Sequence, residues 1–520
     1  MIFKFLSVMT RSSSKELNLA LLAKDAEIAY LSEQIALLRK ALFAAKSERH
    51  PLIEKDPIEI DLFETSVEST TFPQAEATEE VLYTRKKRGA DQNRMALPEH
   101  LDRRVEIVEL PEDERQCLEC GSTLREIGED VTEELEIIPM QIYVRRIVRK
   151  KYACPSDSLH GVFRARMPAR AIPKGIAGAG LLAHILVSKY VDHLPLDRQE
   201  KIFLRLGIKI PKTTMSDWMG RVRHLLDPLI QRLKERMLDS RIVNCDETTM
   251  LVQNNARGGP KRNGYLWSYI GDSRWTWFEW REGRGAVGPL ETLRGFTGEY
   301  LQSDGYNVYV GVADAIKVDH LGCWAHARRK FVEALATGYD KAGGVIELIA
   351  KLYEVETDAK EYSATDRKSI RAKRSIPLLG QLHALLGELT QNAVPKGALG
   401  KAISYTLGQW ARLVKYCNDG ELSIDNNIVE RAIRPVALGR KNWLFAGSED
   451  GAQWAAGFYS LIETAKLCGV DPGKYLTEVI GVIADYEDGN DLDQLLPEAY
   501  AWRINGGNNL PPLALEKSKK

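Results

Sequence analysis

The sequence predicts a multidomain α/β protein built on a mixed β-sheet with flanking helices. Two strand-like runs, RIVNCDETTMLVQ and GEYLQSDGYNVY, are rich in apolar and β-branched residues, and each contains an aspartate. A long helical stretch separates them from SIDNNIVERAIRP, where several capping residues precede a helix. With 520 residues, the chain has room for roughly two to four domains of about 100–200 residues each.

Composition excludes several classes of protein. The 72 basic and 72 acidic side chains cancel, so only local charge can indicate a nucleic-acid partner. Seven cysteines without a dense pattern do not make a secreted disulfide scaffold. The apolar start MIFKFLSV is shorter than a signal-peptide core, and no run approaches the roughly 20 apolar residues of a membrane span. We therefore expect a cytoplasmic protein with no membrane partner.

The first 50 residues predict a coiled coil. Lys24 interrupts a seam of apolar residues spaced by three and four, which are Leu17, Leu21, Ile28, Leu31, Ile35, Leu38 and Leu42. The alternative is an amphipathic helix packed on its own domain. Residues 51–104 are acidic and then basic, lack periodicity, and predict a disordered linker.

Residues 105–168 predict a zinc-ribbon-like DNA-binding segment. Cys117 and Cys120 form a CxxC turn typical of a zinc knuckle, and Cys154 follows hairpin-like strands. A closed structural zinc site needs four ligands, and Asp157 or His160 could be the fourth. The alternative is a ribbon that folds without metal.

Residues 169–238 are helical throughout and predict a helix-turn-helix DNA-binding domain. Gly207 marks the turn, and Thr214 with Asp217 predicts a capping box at the start of the second helix. The same helix carries the basic residues Arg221, Arg223 and His224. Basic residues on a helix are often only a solvated face, so DNA contact needs further support.

Residues 239–472 predict the sheet domain. GYLWSYIGD and WTWFEWREG follow Asp246 as a meander, and the helical AVGPLETLRGF precedes the strand that breaks at Asp304. Glu430 lies in a later helix, beyond a helical insertion at about 332–417. Two strand-borne aspartates followed by a helix-borne glutamate is the order expected of an RNase H-like nucleotidyl transferase. A C-terminal helix and flexible tail occupy 473–520.

Two other carboxylates compete for the same roles. Alternation along a strand puts Asp246 and Glu247 on opposite faces, so only one can enter a site, and we predict Asp246. Asp425 precedes the helix of Glu430 and is a candidate cap, so we predict Glu430 as the third carboxylate.

Several motifs together resemble the transposases of the insertion-sequence-66 family. They are CDET, LQSDGY, CWAHARRKF and the block DNNIVERAIRPVALGRKNWLFAGSEDGAQWAAGFYSLIETAKLCGVDP. The resemblance extends from about Cys117 to about Pro472. One departure is that Asp157 stands where the family has a second cysteine after Cys154, which puts zinc binding in doubt.

The resemblance implies a DDE-type active site with two Mg²⁺ or Mn²⁺ ions. Mg²⁺ prefers hard oxygen ligands, and Asp246 would bridge the two ions, with Asp304 and Glu430 each completing one site. Cys323 would pack rather than ligate, because Cys323 and His326 alone make no closed site. Trp443 would stack on an unpaired base or belong to the core. The implied DNA contacts are Arg221, Arg223, His326, Arg328, Arg329, Arg431, Arg434, Arg440, Lys441 and Trp443.

The implied function is that of a bacterial transposase that binds the ends of its element, cleaves there and joins the ends to target DNA. Alternatives are an RNase H-like nuclease or resolvase without joining, and a non-catalytic DNA-binding protein derived from a transposase. Pairing two DNA ends favours a homo-oligomer, at least a dimer, and the coiled coil offers a means. Elements of this family also encode accessory proteins, so such partners are expected, as is association with the nucleoid.

Overall fold

The computed structural model describes Lys24 and residues 142–147, 151–153, 162–164, 169–253, 261–486 and 491–506. The predicted coiled coil, apart from Lys24, and the whole predicted linker lie outside these residues. The chain divides into two compact units, one of Ser47–Arg166 and one of Met1–Lys46 with Met167–Lys520. In the first unit, strands β1 (Lys151–Ala153) and β2 (Val162–Arg164) pair antiparallel.

The described part of the larger unit contains one mixed sheet, whose strands are β3 (Ile242–Thr249), β4 (Tyr265–Gly271), β5 (Trp275–Arg281), β6 (Tyr300–Gln302) and β7 (Asp319–Leu321). The spatial order is β5-β4-β3-β6-β7. Strands β3, β4 and β5 pair antiparallel, whereas β6 and β7 run parallel to β3. The α-helix α5 (Val287–Thr292) lies between β5 and β6, so the predicted order of three strands, a helix and a strand is present.

Between residue 169 and the sheet, the structure describes four helices: α1 (Ala179–Tyr190), α2 (Leu196–Arg205), α3 (Lys212–Leu225) and α4 (Asp227–Leu238). Gly207 has a φ of 77° in the turn after α2, a conformation that glycine adopts without steric cost. The predicted capping box is wrong, because α3 already begins at Lys212, with Pro211 at the N-cap. Asp217 lies inside α3 and accepts a hydrogen bond from Arg221 one turn later, at 2.8 Å.

A helical insertion follows β7 and is formed by α7 (Trp324–Ala336), α8 (Ala342–Asp358), α9 (Ala364–Asn392) and α10 (Ala398–Leu413). Its helices bury a separate apolar cluster that extends from Leu321 to Ile424, further at both ends than the predicted 332–417. Arg371 is fully buried in this cluster, pairs with Glu356 at 2.5 Å, and donates to the carbonyl oxygen of Tyr416 at 2.8 Å. The ion pair with Glu356 and the hydrogen bond to a backbone carbonyl oxygen offset the cost of burying the charge of Arg371.

The remaining helices are α6 (Asn307–Ile316), between β6 and β7, and the C-terminal α11 (Asn427–Trp443), α12 (Glu449–Leu467), α13 (Pro472–Val482) and α14 (Pro497–Ile504). Helix α12 packs on edge strand β5, where the hydroxyl of Thr464 accepts the backbone N–H of Thr276 at 3.0 Å. No helix among the described residues is long and apolar enough to cross a membrane.

The main apolar cluster joins regions that the sequence predicts as separate domains. It contains side chains from the N-terminal helices, the sheet and the C-terminal helices, among them Leu186, Leu229, Trp267, Leu461 and Leu476. Strand β4 is buried almost throughout, because helices cover both faces of the sheet. Residues 169–238 and the helices after Pro472 therefore share one core with the sheet.

Candidate active site

The two predicted aspartates lie just beyond the residues that pair β3 with the parallel strand β6, Asp246 within β3 and Asp304 in the turn after β6. In the register of β3 and β6, Asn244 is opposite Gln302. Asp246 and Asp304 each come two residues later, and adjacent strands lie about 4.8 Å apart. Asn244 donates a hydrogen bond from its side chain to that of Gln302 at 3.1 Å, which fixes the two side chains on one face. Alternation along β3 puts Asp246 on that face as well.

Helix α11 brings Glu430 to the same face of the sheet. Asn426, its N-cap, accepts a hydrogen bond from the Asn244 side chain at 2.9 Å and donates to the carbonyl oxygen of Cys245 at 2.8 Å. Glu430 follows Asn426 by four residues, the spacing that puts two side chains on one side of a helix. The sequence separates Asn244 from Asn426 by 182 residues, so this contact exists only in the folded protein.

The charges of the three carboxylates act on one another. Burial raises the pKa of Asp246 well above its usual range, and the negative charges of Glu247, Asp304 and Glu430 raise it further. The backbone N–H of Glu247, 2.8 Å from Oδ1 of Asp246, opposes this shift. A partly buried carboxylate among like charges is relieved by a bound cation. Hard oxygen donors in this arrangement fit Mg²⁺ or Mn²⁺.

Asp304 shapes the turn that follows β6. Its Oδ1 accepts the backbone N–H of Tyr306 at 2.9 Å, immediately before α6 begins. Gly305 stands between them, and a Cβ at this position would fall on the ring of Tyr405 in the helical insertion. Close packing on Tyr405 therefore fixes the chain at the Asp304 turn.

Glu247 faces away from Asp246 and has its own partners. Its Oε1 accepts from Nε of Arg284 at 2.7 Å, and its Oε2 accepts from the hydroxyl of Tyr309 at 2.6 Å. Only 3% of the Glu247 side chain is exposed. Glu247 therefore ties β3 to α6, the helix that begins after Asp304.

Asp425 occupies the start of α11. Its Oδ1 accepts the backbone N–H of Asn427 at 3.0 Å, and its Oδ2 accepts the hydroxyl of Tyr353 at 2.9 Å. Burial raises the pKa of Asp425, while these two hydrogen bonds lower it. These contacts are those of a residue that begins the helix, which was the alternative role considered for it.

Glu430 is surrounded by basic and ligand-type side chains from α7. Arg329 donates to its Oε2 at 3.0 Å, and Nδ1 of His326 lies 3.5 Å from its Oε1. Burial lowers the pKa of His326, whereas the charge of Glu430 raises it. Among the described residues, Cys323, His326 and Glu430 have ligand atoms within 4.8 Å of one another. Cys323 is fully buried and its sulfur accepts the backbone N–H of Asn426 at 3.2 Å, which agrees with the packing role expected of it.

The predicted DNA contacts fall into two groups. Exposed ones are Arg221, Arg329, Arg431 and Lys441, and half-buried ones are His326, Arg328 and Arg434. Arg223 instead lies against Gly457 of α12, with 16% of its side chain exposed and an ion pair to Asp227. Arg440 donates to the hydroxyl of Thr249 at 2.6 Å. These contacts argue against a DNA role for Arg223 and Arg440.

Trp443 is directed toward the protein interior. It is half-buried, packs against the main apolar cluster, and lies so close to Gly439 that a Cβ there would collide with its ring. The core role considered for Trp443 is therefore favoured over base stacking. The predicted zinc ligands Cys117, Cys120, Cys154, Asp157 and His160 lie outside the part of the chain that the structure describes.

Three amides that hold this site together were missed by the sequence reasoning: Asn244, Gln302 and Asn426. All three are buried, and they link β3, β6 and α11. A signal was available in the strands, because a polar amide two residues before a carboxylate lies on the same face of the strand. The pattern along the strands could not indicate the third amide, Asn426, because it belongs to a helix that is distant in sequence.

Four family models match this chain. Residues 174–454 match the model described as "Transposase IS66 family". Residues 114–156 match a "zinc-finger binding domain of transposase IS66", and residues 460–497 match the "IS66 C-terminal element". Residues 30–106 match a model described as "Transposase C of IS166 homeodomain". Most of the chain is covered.

Relatives in Sinorhizobium fredii are similar over almost their whole length. The uncharacterized protein y4jD is 35% identical over 492 residues, which is 91% of this chain and 95% of the relative. The uncharacterized protein y4qI is 33% identical over 90% of this chain and 88% of its own length. The similarity therefore extends over nearly all of this chain and is not confined to one domain.

Proposed function

This chain belongs to the IS66 family of transposases, and on that premise we propose that it binds the ends of a mobile DNA element and catalyses metal-dependent cleavage and strand transfer there. The observation that carries the proposal is that the charges of Asp304 and Glu430 both raise the pKa of Asp246, although these residues come from separate elements. It is supported by the hydrogen bonds that join Asn244 to Gln302 and to Asn426.

The fold we propose for the sheet domain is RNase H-like. Supporting it are three antiparallel strands followed by two strands parallel to the first, in the order β5-β4-β3-β6-β7. Ligands of sheets with parallel strands often bind at the carboxyl ends of the strands. Asp304 follows the carboxyl end of β6, and Asp246 lies on β3 just beyond the residues that pair with β6. The helical insertion between β7 and α11 separates them in sequence from Glu430.

Asp246, Asp304 and Glu430 would hold two Mg²⁺ or Mn²⁺ ions, with Asp246 shared between them. Bound there, such ions stabilise the charge that develops on the attacking and leaving oxygens of a phosphodiester. The residues of this chain do the positioning. Asp246 would present its oxygens from β3 and Asp304 from the turn after β6. Arg329 donates to Oε2 of Glu430 at 3.0 Å and would orient that carboxylate.

Basic side chains on α3, α7 and α11 would bind the DNA backbone. Phosphate contacts position a protein on DNA and need exposed cations. Arg221, Arg329, Arg431 and Lys441 meet that requirement, because their side chains are exposed. His326 and Arg329 lie beside Glu430 and would contact the scissile region, whereas half-buried Arg328 and Arg434 present less of their charge to the backbone.

The N-terminal part of the chain would contribute recognition and pairing. The match of residues 114–156 to a zinc-finger domain supports a structural zinc in that segment. We propose Cys117, Cys120 and Cys154 as ligands, with Asp157 or His160 as the fourth. Two protomers joined through residues 1–50 would bring two element ends together, with accessory proteins of the element as further partners.

The test is an assay of end-fragment DNA with Mg²⁺ or Mn²⁺, scoring cleavage and covalent donor–target junctions separately. Asp246→Asn, Asp304→Asn and Glu430→Gln should each reduce both by roughly three orders of magnitude, since metal catalysis contributes several kcal/mol. End binding should be retained. Glu291→Gln, which changes an exposed carboxylate paired with Arg281 at 2.6 Å, is the matched control.

Different outcomes separate the alternatives. Strand transfer that persists in Asp304→Asn would exclude this active site. Metal-dependent cleavage without any donor–target junction would identify a nuclease or resolvase. Binding to element ends without turnover in the unchanged chain would indicate a DNA-binding protein that has lost catalysis.

A further inference from the structure

A buried amide side chain precedes each of the three carboxylates, two residues earlier on the strands and four residues earlier at the helix. Asn244 and Gln302 each lie two residues before an aspartate, which is about 6.6 Å along a strand. Asn426 lies four residues before Glu430, which is about 6 Å along a helix. Their exposed fractions are 4%, 1% and 0%, so water does not compete for their hydrogen bonds.

The amides form one continuous hydrogen-bond network. The side-chain nitrogen of Asn244 donates to Gln302 at 3.1 Å and to Asn426 at 2.9 Å. Gln302 donates onward to the carbonyl oxygens of Gly322 at 3.1 Å and Ser423 at 2.9 Å. The network therefore joins β3, β6, the turn after β7 and the segment that leads into α11. These are the segments that carry or flank the three carboxylates.

Such a network resists displacement of any one element. N–H···O hydrogen bonds are effective only between about 2.7 and 3.2 Å, so a shift of 1 Å breaks them. Asp246, Asp304 and Glu430 carry like charges when ionised, and like charges at short distance repel one another. The hydrogen bonds between the amides oppose this repulsion. They lie about 6–7 Å along the strands and the helix from the carboxylates.

Stability alone does not account for amides at these positions. A buried polar network can often be replaced by apolar side chains of similar shape at little cost, whereas a half-satisfied network is costly. A buried polar network instead favours one arrangement of the packed strands and helices over other compact arrangements. Partners that orient metal ligands typically change metal affinity by 10–100-fold when they are removed.

We infer that Asn244, Gln302 and Asn426 are positioning residues, which set the spacing of Asp246, Asp304 and Glu430 for a pair of divalent cations. The inference rests on the proposed function. It assigns these amides no contact with DNA or metal. They act through the backbone of the elements that present the ligands.

The experiment measures Mn²⁺ binding to the full-length chain by electron paramagnetic resonance, together with thermal unfolding of the metal-free protein. Mn²⁺ bound at this site is defined as the difference between the Mn²⁺ bound by the unchanged chain and the Mn²⁺ bound by Asp246→Asn. Asn244→Leu removes the donor shared by Gln302 and Asn426, and should weaken Mn²⁺ binding by about tenfold or more. Methionine has nearly the same shape as glutamine, so Gln302→Met should weaken Mn²⁺ binding to a similar extent. This variant tests the inference if Asn244→Leu does not fold.

Thr464→Val is the matched control, because it also removes a buried hydrogen bond between a helix and a strand of this sheet. The Thr464 hydroxyl accepts the backbone N–H of Thr276 on edge strand β5, two strands away from β3. It should lower the melting temperature and leave Mn²⁺ affinity within about twofold of the unchanged chain. The comparison separates general destabilisation from loss of positioning.

A triple variant, Asn244→Leu with Gln302→Met and Asn426→Leu, leaves no half-satisfied network among these side chains. Its melting temperature should recover in part, because the carbonyl oxygens of Cys245, Gly322 and Ser423 still lose their donors, while Mn²⁺ binding stays weak. Recovery of both properties would overturn the inference, as would Asn244→Leu and Gln302→Met behaving like Thr464→Val. If the unchanged chain and Asp246→Asn bind Mn²⁺ equally, the proposed active site itself fails, which is a separate result.

Discussion

Asp246 is partly buried and has three like-charged neighbours, Glu247, Asp304 and Glu430. Burial and the charges of Glu247, Asp304 and Glu430 all raise its pKa, which means that its ionised form is unfavourable in the metal-free fold. Sites that store such strain for function are commonly more stable after the functional residue is changed. A divalent cation bound beside Asp246 would offset this unfavourable charge.

Asp246→Asn should therefore stabilise the metal-free protein while abolishing its response to metal. We expect a gain of about 0.5–2 kcal/mol in the free energy of unfolding without metal, since the substitution removes a repelled charge. The unchanged chain should gain about 2.7 kcal/mol at a Mn²⁺ concentration 100 times its Kd. Thermal unfolding with and without Mn²⁺ measures both. A metal-free variant less stable than the unchanged chain would contradict the electrostatic account.

His320 on β7 makes stability depend on pH. It is 7% exposed, its Nε2 lies 2.8 Å from the hydroxyl of Ser303, and burial lowers its pKa to about 4, with the charges of Arg412 and Lys415 acting in the same direction. An unfolded histidine has a pKa of about 6.5. As the pH falls, the unfolded chain therefore takes up this proton first, and the folded state loses stability between pH 6.5 and 4.

The prediction is made for His320→Gln, which removes the titrating group. Between pH 7 and 4 the unchanged chain should lose up to about 3 kcal/mol more unfolding free energy than the variant, because its folded pKa lies well below its unfolded pKa. Urea unfolding at a series of pH values measures this difference. Parallel pH profiles for the two proteins would show that His320 does not titrate as its burial requires.

At the scale of elements, the turn after β6 depends on the helical insertion. Gly305 follows Asp304, and its backbone packs directly on Tyr405 of α10. Nζ of Lys330 on α7 lies 4.6 Å from the centre of the same ring, so two helices of the insertion support the turn. The insertion thus has a structural link to the proposed active site, besides separating Asp304 from Glu430 in sequence.

Gly305→Ala should displace Asp304 because the added methyl group overlaps the Tyr405 ring. We expect a loss of about 1–3 kcal/mol in stability, as for other overpacked sites, together with reduced metal binding. In the double variant with Tyr405→Ala, the methyl group has space, and metal binding should recover in part. Melting curves and Mn²⁺ titrations of the two single variants and the double variant form a cycle. Additive effects in that cycle would refute the contact.

The elements also show which sequence signals were sufficient. The order of strands and helices in the sheet domain followed from alternation, apolar runs and capping residues, and it is present in the structure. The start of α3 did not follow from such signals. Thr214 and Asp217 fit a capping box in sequence, but the helix begins at Lys212. Local capping residues permit a helix start but do not fix it when the preceding Pro211 can begin the helix earlier.

At the scale of the whole molecule, one apolar cluster joins the N-terminal helices, the sheet and the C-terminal helices. Its residues run from Ile172 to Ala501, whereas the insertion has a cluster of its own. Residues 1–46 are grouped with the larger unit, and residues 47–166 form the smaller one. All described residues of this cluster lie between Ile172 and Ala501, so a fragment that contains them should hold this core by itself.

A fragment of residues 169–520 should unfold cooperatively, within a few degrees of the sheet-domain transition of the full chain, and keep its stabilisation by Mn²⁺. It should lose dimerisation and high affinity for element ends, which we assign to the N-terminal segments. Calorimetry and light scattering test the two parts. A fragment of residues 212–520 is the control, because it lacks α1 and α2 and should aggregate. A 169–520 fragment that fails to fold would contradict this division.

The sequence by itself determined the family, the succession of strands and helices, and the three carboxylates proposed for catalysis. These follow from residue types and short-range periodicity, which act through neighbours along the chain. Tertiary structure decided which charged residues are available. Arg223 and Arg440 look equivalent to Arg221 and Lys441 in sequence, yet Arg223 packs against α12 and Arg440 is bonded to Thr249 of β3.

Tertiary structure also decided the amide network. Asn244 is 58 residues from Gln302 and 182 residues from Asn426, and nothing local pairs them. Their contact requires the parallel register of β3 and β6 and the docking of α11 on the sheet. Hydrogen bonds between side chains depend on tenths of an ångström, a precision that only packing of the complete core supplies.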